Sequence, residues 1–497
     1  MFSRPIFISF GLALGIVCGD TSEYPGKRIY PEDYGAVGDG VSDDGPPIAA
    51  ACSAAATTRI PLSFRQKYRL AGSTSLRCDT AYLAGAILVP DQNITVTLIG
   101  AVTAPDNQRI FGGNGSVSVS TAPYVSVAWW GASASAPDSA PAFQAAGGSN
   151  RVISIPPQSD CYLFNSTPNQ PYPTLNPTSV WWKAFSNFKV EGHGACVKEG
   201  NAVAHLYNMI LFDRDRNFVI DGLQFLGTQE AAWVTPMTME NSAISMMSVV
   251  NATFRNLRFP GNWGGIGGPF VGDYIVDSVF EDLNMPSVGL CFDVAFLLHV
   301  RINKLSAIGS DGSTGKGMKC FSVLYDDRNL GQNKTGYKIT DASGVRFTNS
   351  DISNFENALI ISSGKNYYFS GNSWHDNPTV GLIKPAASLL FYYFNGKPYS
   401  SAGHPVQHVT IDGDVFSNNG KGSGVFTVGI GATGITNADT IHGFTIIHSV
   451  FENNADTAIG ADTTRHVSNI AVASSNRFLG SRQTTPVNTN IRALMGH

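Results

Sequence analysis

A chain of 497 residues with 14% charged side chains, 52 glycines and a formal net charge of −4 carries no basic field, which argues against nucleic acid as a partner. The charged fraction is well under the roughly 25% usual in globular domains. Such a palette suits one repetitive solenoid, built of tight turns and uncharged outer faces, better than a string of ordinary domains.

The first nineteen residues, MFSRPIFISFGLALGIVCG, hold one Arg, an apolar run from Pro5 to Val17 and small residues at the end. They read as a signal peptide over 1–19 and predict export. The run is short for a bilayer and nothing later is more apolar, so no membrane span is expected. The 7 cysteines stand singly at 18, 52, 78, 161, 196, 291 and 320, with no CxxC pair or metal-ligand spacing. That pattern argues against a disulfide framework and a zinc site, and Cys291 and Cys320 read as packing residues in strands.

From Ile29 to Ala56 the chain predicts a strand (Ile29 to Tyr34), a turn punctuated by Gly35, Gly38 and Gly40, and a helix opened by Asp43, Asp44, Pro46 and Pro47. The helix from Ile48 to Ala56 is small and apolar around most of its circumference. It must lie against something flat, and the open end of a stack of β-coils is such a surface.

DYGAVGDGVSDD followed by an Ala-rich helix resembles the opening motif of the pectate-lyase-superfamily β-helix proteins, shared by phage tailspikes and secreted polysaccharide-degrading enzymes. A looser copy runs from Tyr124 to Ala146, with Trp129, Trp130 and Gly131 in place of the Tyr-Gly pair. The resemblance implies an all-β, right-handed parallel β-helix with an N-terminal capping helix: a cap over 20–150 and the main helix with loop insertions over 151–497. It further implies a glycoside hydrolase or polysaccharide lyase acting on a bacterial-surface or plant-type acidic polysaccharide. The alternative is a non-catalytic, adhesive glycan binder. No cofactor is expected except calcium in the lyase case. A tailspike-like protein would be a homotrimer on a virion tail rather than a secreted enzyme.

After the cap helix, NITVTLIGAV at Asn93 reads as a strand by its alternation and β-branched content. From Val152 repeats take over. One template starts with a small polar residue or His, alternates apolar positions, passes Gly or a polar residue and ends on an aromatic or apolar residue. It fits NFVIDGLQF (Asn217), NATFRNLRF (Asn251), GVRFTNSDI (Gly344), NYYFSGNSW (Asn366), HVTIDGDVF (His408) and GFTIIHSVF (Gly443). A second template, Gly or Ala before an aliphatic, recurs at Ala243, Gly265, Gly289, Gly317, Ala358, Gly381, Gly424 and Ala458, 22 to 43 residues apart. Two strands per coil with inserted loops are therefore expected, with Asn and Gly at left-handed corners.

Insertions at 322–343, 386–407 and 429–442 fall at the same point of their coils and predict one wall beside the strand face. There Asp293 of GLCFD and Lys319 of GMKCF read as outward, next to Tyr325, Asp326, Asp327 and Arg328. The expected catalytic group is Asp293, Lys319, Asp326, Asp327 and Arg328. Polysaccharide hydrolysis needs two carboxyls about 5 to 10 Å apart, and a lyase needs a base with a neutralising cation. Glu356, His375 and Asp376 are second candidates, and Glu230 and Glu240 third. Tyr325, Trp263, Tyr392, Tyr393 and Tyr399 are candidate sugar platforms, and no metal ligands are assigned. GHG at Gly192 and RINK at Arg301 match polygalacturonase motifs only in part, since the accompanying paired-Asp motifs are missing.

Overall fold

The computed structural model describes residues 28–169, 177–200, 208–228, 242–263, 268–310, 317–323, 331–377, 387–394, 405–420, 426–433, 441–454, 457–461, 467–480 and 491–494. A coil consists of an A strand such as Gly364–Ser370, a short B strand such as Ser373–His375 and a C strand such as Ala387–Phe394. Each pairs in parallel with its counterpart one coil on, in Val406–Asp412, Val415–Ser417 and Phe426–Thr433. Three parallel stacks result, and the chain is a right-handed parallel β-helix, the hand that crossovers between parallel strands take.

The first sequence template spans an A strand, a corner and a B strand, so the coil has three strands where two were expected. Its register is the structural one. Asn217 stacks on Asn251, and Gly344, Asn366, His408 and Gly443 stand on successive rungs. The column is held by backbone geometry: φ is positive at Asn187, Asn217, Asn251, Asp277, His299, Gly344, Asn366, His408, Gly443 and Asn469. Asparagine tolerates this region better than most residues and offers an amide in return. Asn187 Nδ2 donates to Asn150 Oδ1 (3.0 Å), Asn217 to Asn187 (3.1 Å) and Asn251 to Asn217 (2.9 Å). The second template is in register only in part. The inward rung column of the C stack includes Ile244, Phe270, Phe292, Phe321, Leu359, Val428 and Ile459, with the backbone of residue Leu389 in register between Leu359 and Val428. Gly289 and Gly317 precede that column by varying distances because the connection before each C strand varies.

At the N-terminus Ile29 forms a single parallel bridge to Leu62, and Pro31–Tyr34 is a 3-10 turn instead of the expected strand. A strand follows at Asp39–Asp43, and helix α1 spans Gly45–Thr58, burying Ile48, Ala51, Cys52 and Ala55. The Asp44 carboxylate turns back to accept from the amides of Val37 (2.7 Å) and Gly38 (3.3 Å), fixing the glycine turn. The looser copy repeats this order: strand Tyr124–Ser126, 3-10 turn Val127–Trp130 and helix α2, Ala140–Ala146. Both turns end on a glycine with nearly the same φ, 96° at Gly35 and 95° at Gly131. Between them lie three small parallel sheets, a short three-faced solenoid of its own.

The cysteine reading is corrected. Cys52–Cys78, Cys161–Cys196 and Cys291–Cys320 are disulfides, 26, 35 and 29 residues apart in sequence. In a solenoid, residues about one coil apart become neighbours on adjacent rungs, as Cys161–Cys196 and Cys291–Cys320 do, while Cys52–Cys78 ties helix α1 to the first coils; with Cα atoms 4.4 to 5.5 Å apart in these pairs, single spacing conceals pairing. The strands Gly317–Val323, Ala387–Phe394 and Phe426–Thr433 run into the expected insertions, which shifts the first by two residues and shortens the other two. The connections 324–345, 395–405 and 434–440 all join a C strand to the next A strand. A second set, including 229–241, 310–316 and 376–386, joins B to C in chain order. No helix among the described residues is long and apolar enough to cross a membrane.

One continuous apolar core fills the stack, with aromatic ladders such as Phe225 on Phe259 (5.6 Å) and Phe416 on Phe451 (4.7 Å). Two acids share the interior. Asp414 accepts from Asn372 and from Trp374 Nε1 (2.9 Å), and burial raises its pKa to about 6. Asp215 is fully buried, takes only the Phe185 amide (2.6 Å) on Oδ1 and leaves Oδ2 without a partner. Loss of hydration, with the Asp213 charge as a smaller cause, raises its pKa to about 8.

Replacing Phe225, Phe259, Phe416 or Phe451, all completely buried, by Ala is expected to cost about 3 to 5 kcal/mol per site, read as a lower denaturation midpoint. Non-reducing peptide mapping is expected to return the cross-links 52–78, 161–196 and 291–320. Asp215 holds its proton more tightly folded than unfolded. Its contribution is therefore complete below its ordinary value of 3.8 and is lost as pH rises to about 8. Asp215→Asn is expected to gain melting temperature relative to wild type across that window, and a difference that does not change with pH would contradict the assignment.

Candidate functional site

Alternation along the C strands sends one residue inward and the next outward. Ser245, Val271, Asp293, Ser322 and Ile360 are in register on successive rungs, next to the inward column, and form a mainly uncharged outer row. Asp293 is the charge in that row. Lys319 stands opposite Leu290 by backbone register, but its side chain reaches diagonally, placing Nζ 3.3 Å from Asp293 Oδ1 and 3.2 Å from Ser322 Oγ. The side chains of Lys319 and Asp293 are 11% and 15% exposed, so the pair is largely withdrawn from solvent. Asn357, opposite Lys319 on the following rung, has a buried Oδ1 with no partner.

One carboxylate here escaped the sequence reading. Asp273, in FVGDYIV, lies between Met247 and Ala295 in register, on the same outer face as Asp293 and one rung earlier. Rungs about 4.8 Å apart and a two-residue offset along the strand put the two Cα atoms about 8 Å apart. The outward alternation of Val271 and Asp273 was the available signal. It was hidden by reading Gly265-Ile266 as the strand marker.

Residues 331–345 return across the edge of this face and form a wall. Arg216 Nη2 donates to the carbonyls of Lys334 (3.0 Å) and Thr335 (2.7 Å), and Ser248 Oγ donates to that of Gln332 (3.0 Å). Beneath the strap, Leu211, Met247, Tyr274, Ala295 and Phe296 make a second apolar cluster outside the main core, with Ile339 packed on it. The Tyr274 and Phe296 rings stack at 4.5 Å. Beside the cluster the buried Asp213 accepts from Trp181 Nε1 (3.2 Å) and pairs with Arg214.

The remaining candidates separate. Tyr325, Asp326, Asp327, Arg328, Tyr399, Glu230 and Glu240 lie outside the described residues. Tyr392 and Tyr393 lie on the C strand Ala387–Phe394, opposite Gly431 and Ala432. Glu356 is partly buried on the C strand Phe355–Ile361. Trp263 is no sugar platform: it is 3% exposed and packs edge-on to Phe259 at 6.3 Å. Gly261, whose φ is 81° and whose missing Cβ would strike the Gly227 carbonyl, gives the tight turn that carries the indole inward. His375 stands on a B strand, away from Asp293, with Nδ1 2.8 Å from Asp376 Oδ2 and Nε2 3.1 Å from Asp351 Oδ1. The two candidate clusters thus occupy different faces. Among the described residues no group of three His, Cys, Asp or Glu could hold a metal ion.

Neither protein-family models nor curated protein sequences match the chain. Among solved structures it is similar to the A-module of mannuronan C-5 epimerase AlgE4 of Azotobacter vinelandii (14% identity, 94% of this chain and 100% of that one, TM-score 0.33). It is also similar to the family 28 exopolygalacturonase of Yersinia enterocolitica (10% identity, 94% and 77%, TM-score 0.41). A third is PfbA, a surface adhesin of Streptococcus pneumoniae (12% identity, 93% and 93%, TM-score 0.33). At these identities the likeness is one of fold alone.

Proposed function

We propose that this protein binds an acidic polysaccharide, of bacterial-surface or plant type, along the outer face of the C stack and cleaves it there. The observation that carries the reading is the Asp293–Lys319 pair, 3.3 Å apart on a low-charge face of the C stack. Withdrawing two charges from water is costly, and a hydrophobic pair would serve the fold as well. Charges retained in such a place suit chemistry.

In a hydrolase, Asp293 and Asp273 supply the carboxyl pair. They stand on adjacent rungs of one face, and in this reading one carboxyl acts as acid while the other activates water. In a lyase, the cation of Lys319 neutralises charge that develops on a uronate carboxylate as a base removes the neighbouring proton. Asp326, Asp327 and Arg328 belong to the same proposal by sequence position, since they follow the strand that carries Lys319. Tyr325, Tyr392, Tyr393 and Tyr399 are its sugar platforms. Export fits both the leader and the three disulfides, which persist in oxidising compartments. A trimer belongs to the tailspike-like version of this reading.

A second reading, a glycan binder without catalysis, is favoured by one observation. Asp293 and Lys319 neutralise each other at 15% and 11% exposure, as a purely structural ion pair would. Mass spectrometry of products from a polysaccharide panel separates the readings. An unsaturated uronate end means lyase, a saturated reducing end means hydrolase, and binding without cleavage means binder. For an enzyme, Asp293→Asn is expected to lower the rate about a hundredfold or more, measured at a temperature where the variant is folded, since leaving Lys319 unpaired also lowers the melting temperature. Full activity in both Asp293→Asn and Asp273→Asn would move the chemistry to Glu356 or to His375 and Asp376.

A further inference from the structure

The A stack presents a different surface. Ile302, Phe347 and Phe369 of neighbouring A strands are buried in the core, so the residues just before them face outward. Those residues are Arg301, Arg346 and Tyr368, in direct register on three successive rungs. Both arginines are exposed, and neither meets a carboxylate among the described residues. Other charges on this face are satisfied. Arg255 pairs with Asp221 (2.8 Å), Lys189 with Glu191 (2.6 Å) and His448 with Asp412 (2.9 Å), while Glu281 accepts from Asn303 (2.9 Å).

Two like charges directly opposite on adjacent strands repel, at a rung spacing of about 4.8 Å. Nothing in the fold requires that juxtaposition, since Val279 and Thr410 occupy the same column nearby. An anion between the two guanidinium forks would relieve it, because each fork matches a carboxylate with two parallel N–H donors. Tyr368 completes the surface. Its hydroxyl is directed to Asp412 Oδ2 (3.3 Å), and its ring centroid lies 5.7 Å from Arg346 Cζ. That leaves an aromatic plane next to the cations on which a sugar ring can stack.

We infer that Arg301, Arg346 and Tyr368 form a second glycan contact, a clamp for the carboxylate of an acidic polysaccharide, on a face separate from that of Asp293 and Lys319. The clamp rests on the reading of the chain as a polysaccharide-handling protein. It is the in-register pairing with Arg346, which no motif flags, that makes Arg301 more than a solvated surface charge.

The test is affinity electrophoresis of the full chain in gels containing polygalacturonate or polymannuronate, with the carboxyl-reduced neutral polymers as controls, alongside the cleavage panel. Wild type is expected to be retarded by at least one acidic polymer and not by its neutral counterpart. The double variant R301A/R346A is expected to bind about tenfold or more weakly, with R301K/R346K in between because it keeps the charge but loses the fork. Equal retardation of wild type and R301A/R346A overturns the clamp alone, whether or not cleavage is found. A wild type that neither binds nor cleaves any polymer overturns the clamp together with the polysaccharide reading.

Discussion

Parallel rungs about 4.8 Å apart allow a corner only where one residue accepts a left-handed backbone, and that requirement recurs on every coil. In this protein Asn, Asp, His and Gly meet it in the column from Asn187 to Asn469 where the A strands begin, and a second left-handed column at the C-to-A corner is made by Ala184, Arg214, Ser248, Tyr274 and Phe296. Once the corner is fixed, each residue stacks on its equivalent one coil away. Asparagine amides then bond to one another, phenylalanines form ladders, cysteines one coil apart close disulfides, and Arg301 is brought against Arg346. The constraint that makes the fold regular therefore also makes its irregular columns conspicuous. Asp215, an acid whose neighbours in the C-to-A corner include the buried Val249 and Ile275, is one of them.

The same constraint explains what the sequence displayed. The template from Asn217 to Gly443 was legible because a left-handed corner and an inward aromatic each admit few residue types. The C strands were less legible. They begin after connections of unequal length, so the Gly-aliphatic pairs at Gly289 and Gly317 mark approaches to strands and not a common rung. The cysteines were misread for a related reason: unequal coils turn a regular contact between neighbours into separations of 29 and 35 residues. Trp263 looked exposed among glycines, yet glycine at 261 is what allows the chain to turn the indole into the core.

At the candidate site, sequence alternation was enough to place Asp293 outward, next to the inward Phe292, whereas Lys319 shares the parity of the inward Phe321 and meets Asp293 only by crossing the register diagonally. Alternation did not supply Asp273, whose rung was misassigned. The strap at 331–345 has no periodic signature. Its position depends on side-chain bonds from Arg216 and Ser248, far upstream, and on an apolar cluster that only the stacked structure assembles. The C face and the open A face are thus two different environments on one scaffold: the first withdraws its charges and the second displays them.

The central claim is that sugar lies along the outer face of the C stack. A crystal structure of the Asp293→Asn variant soaked with oligosaccharides of a bound polymer tests it most directly. The account predicts sugar density over the C strands Gly268–Val276, Leu290–Leu298 and Gly317–Val323, within hydrogen-bond reach of Lys319 Nζ. Well-ordered sugar elsewhere, with this face bare, would contradict it.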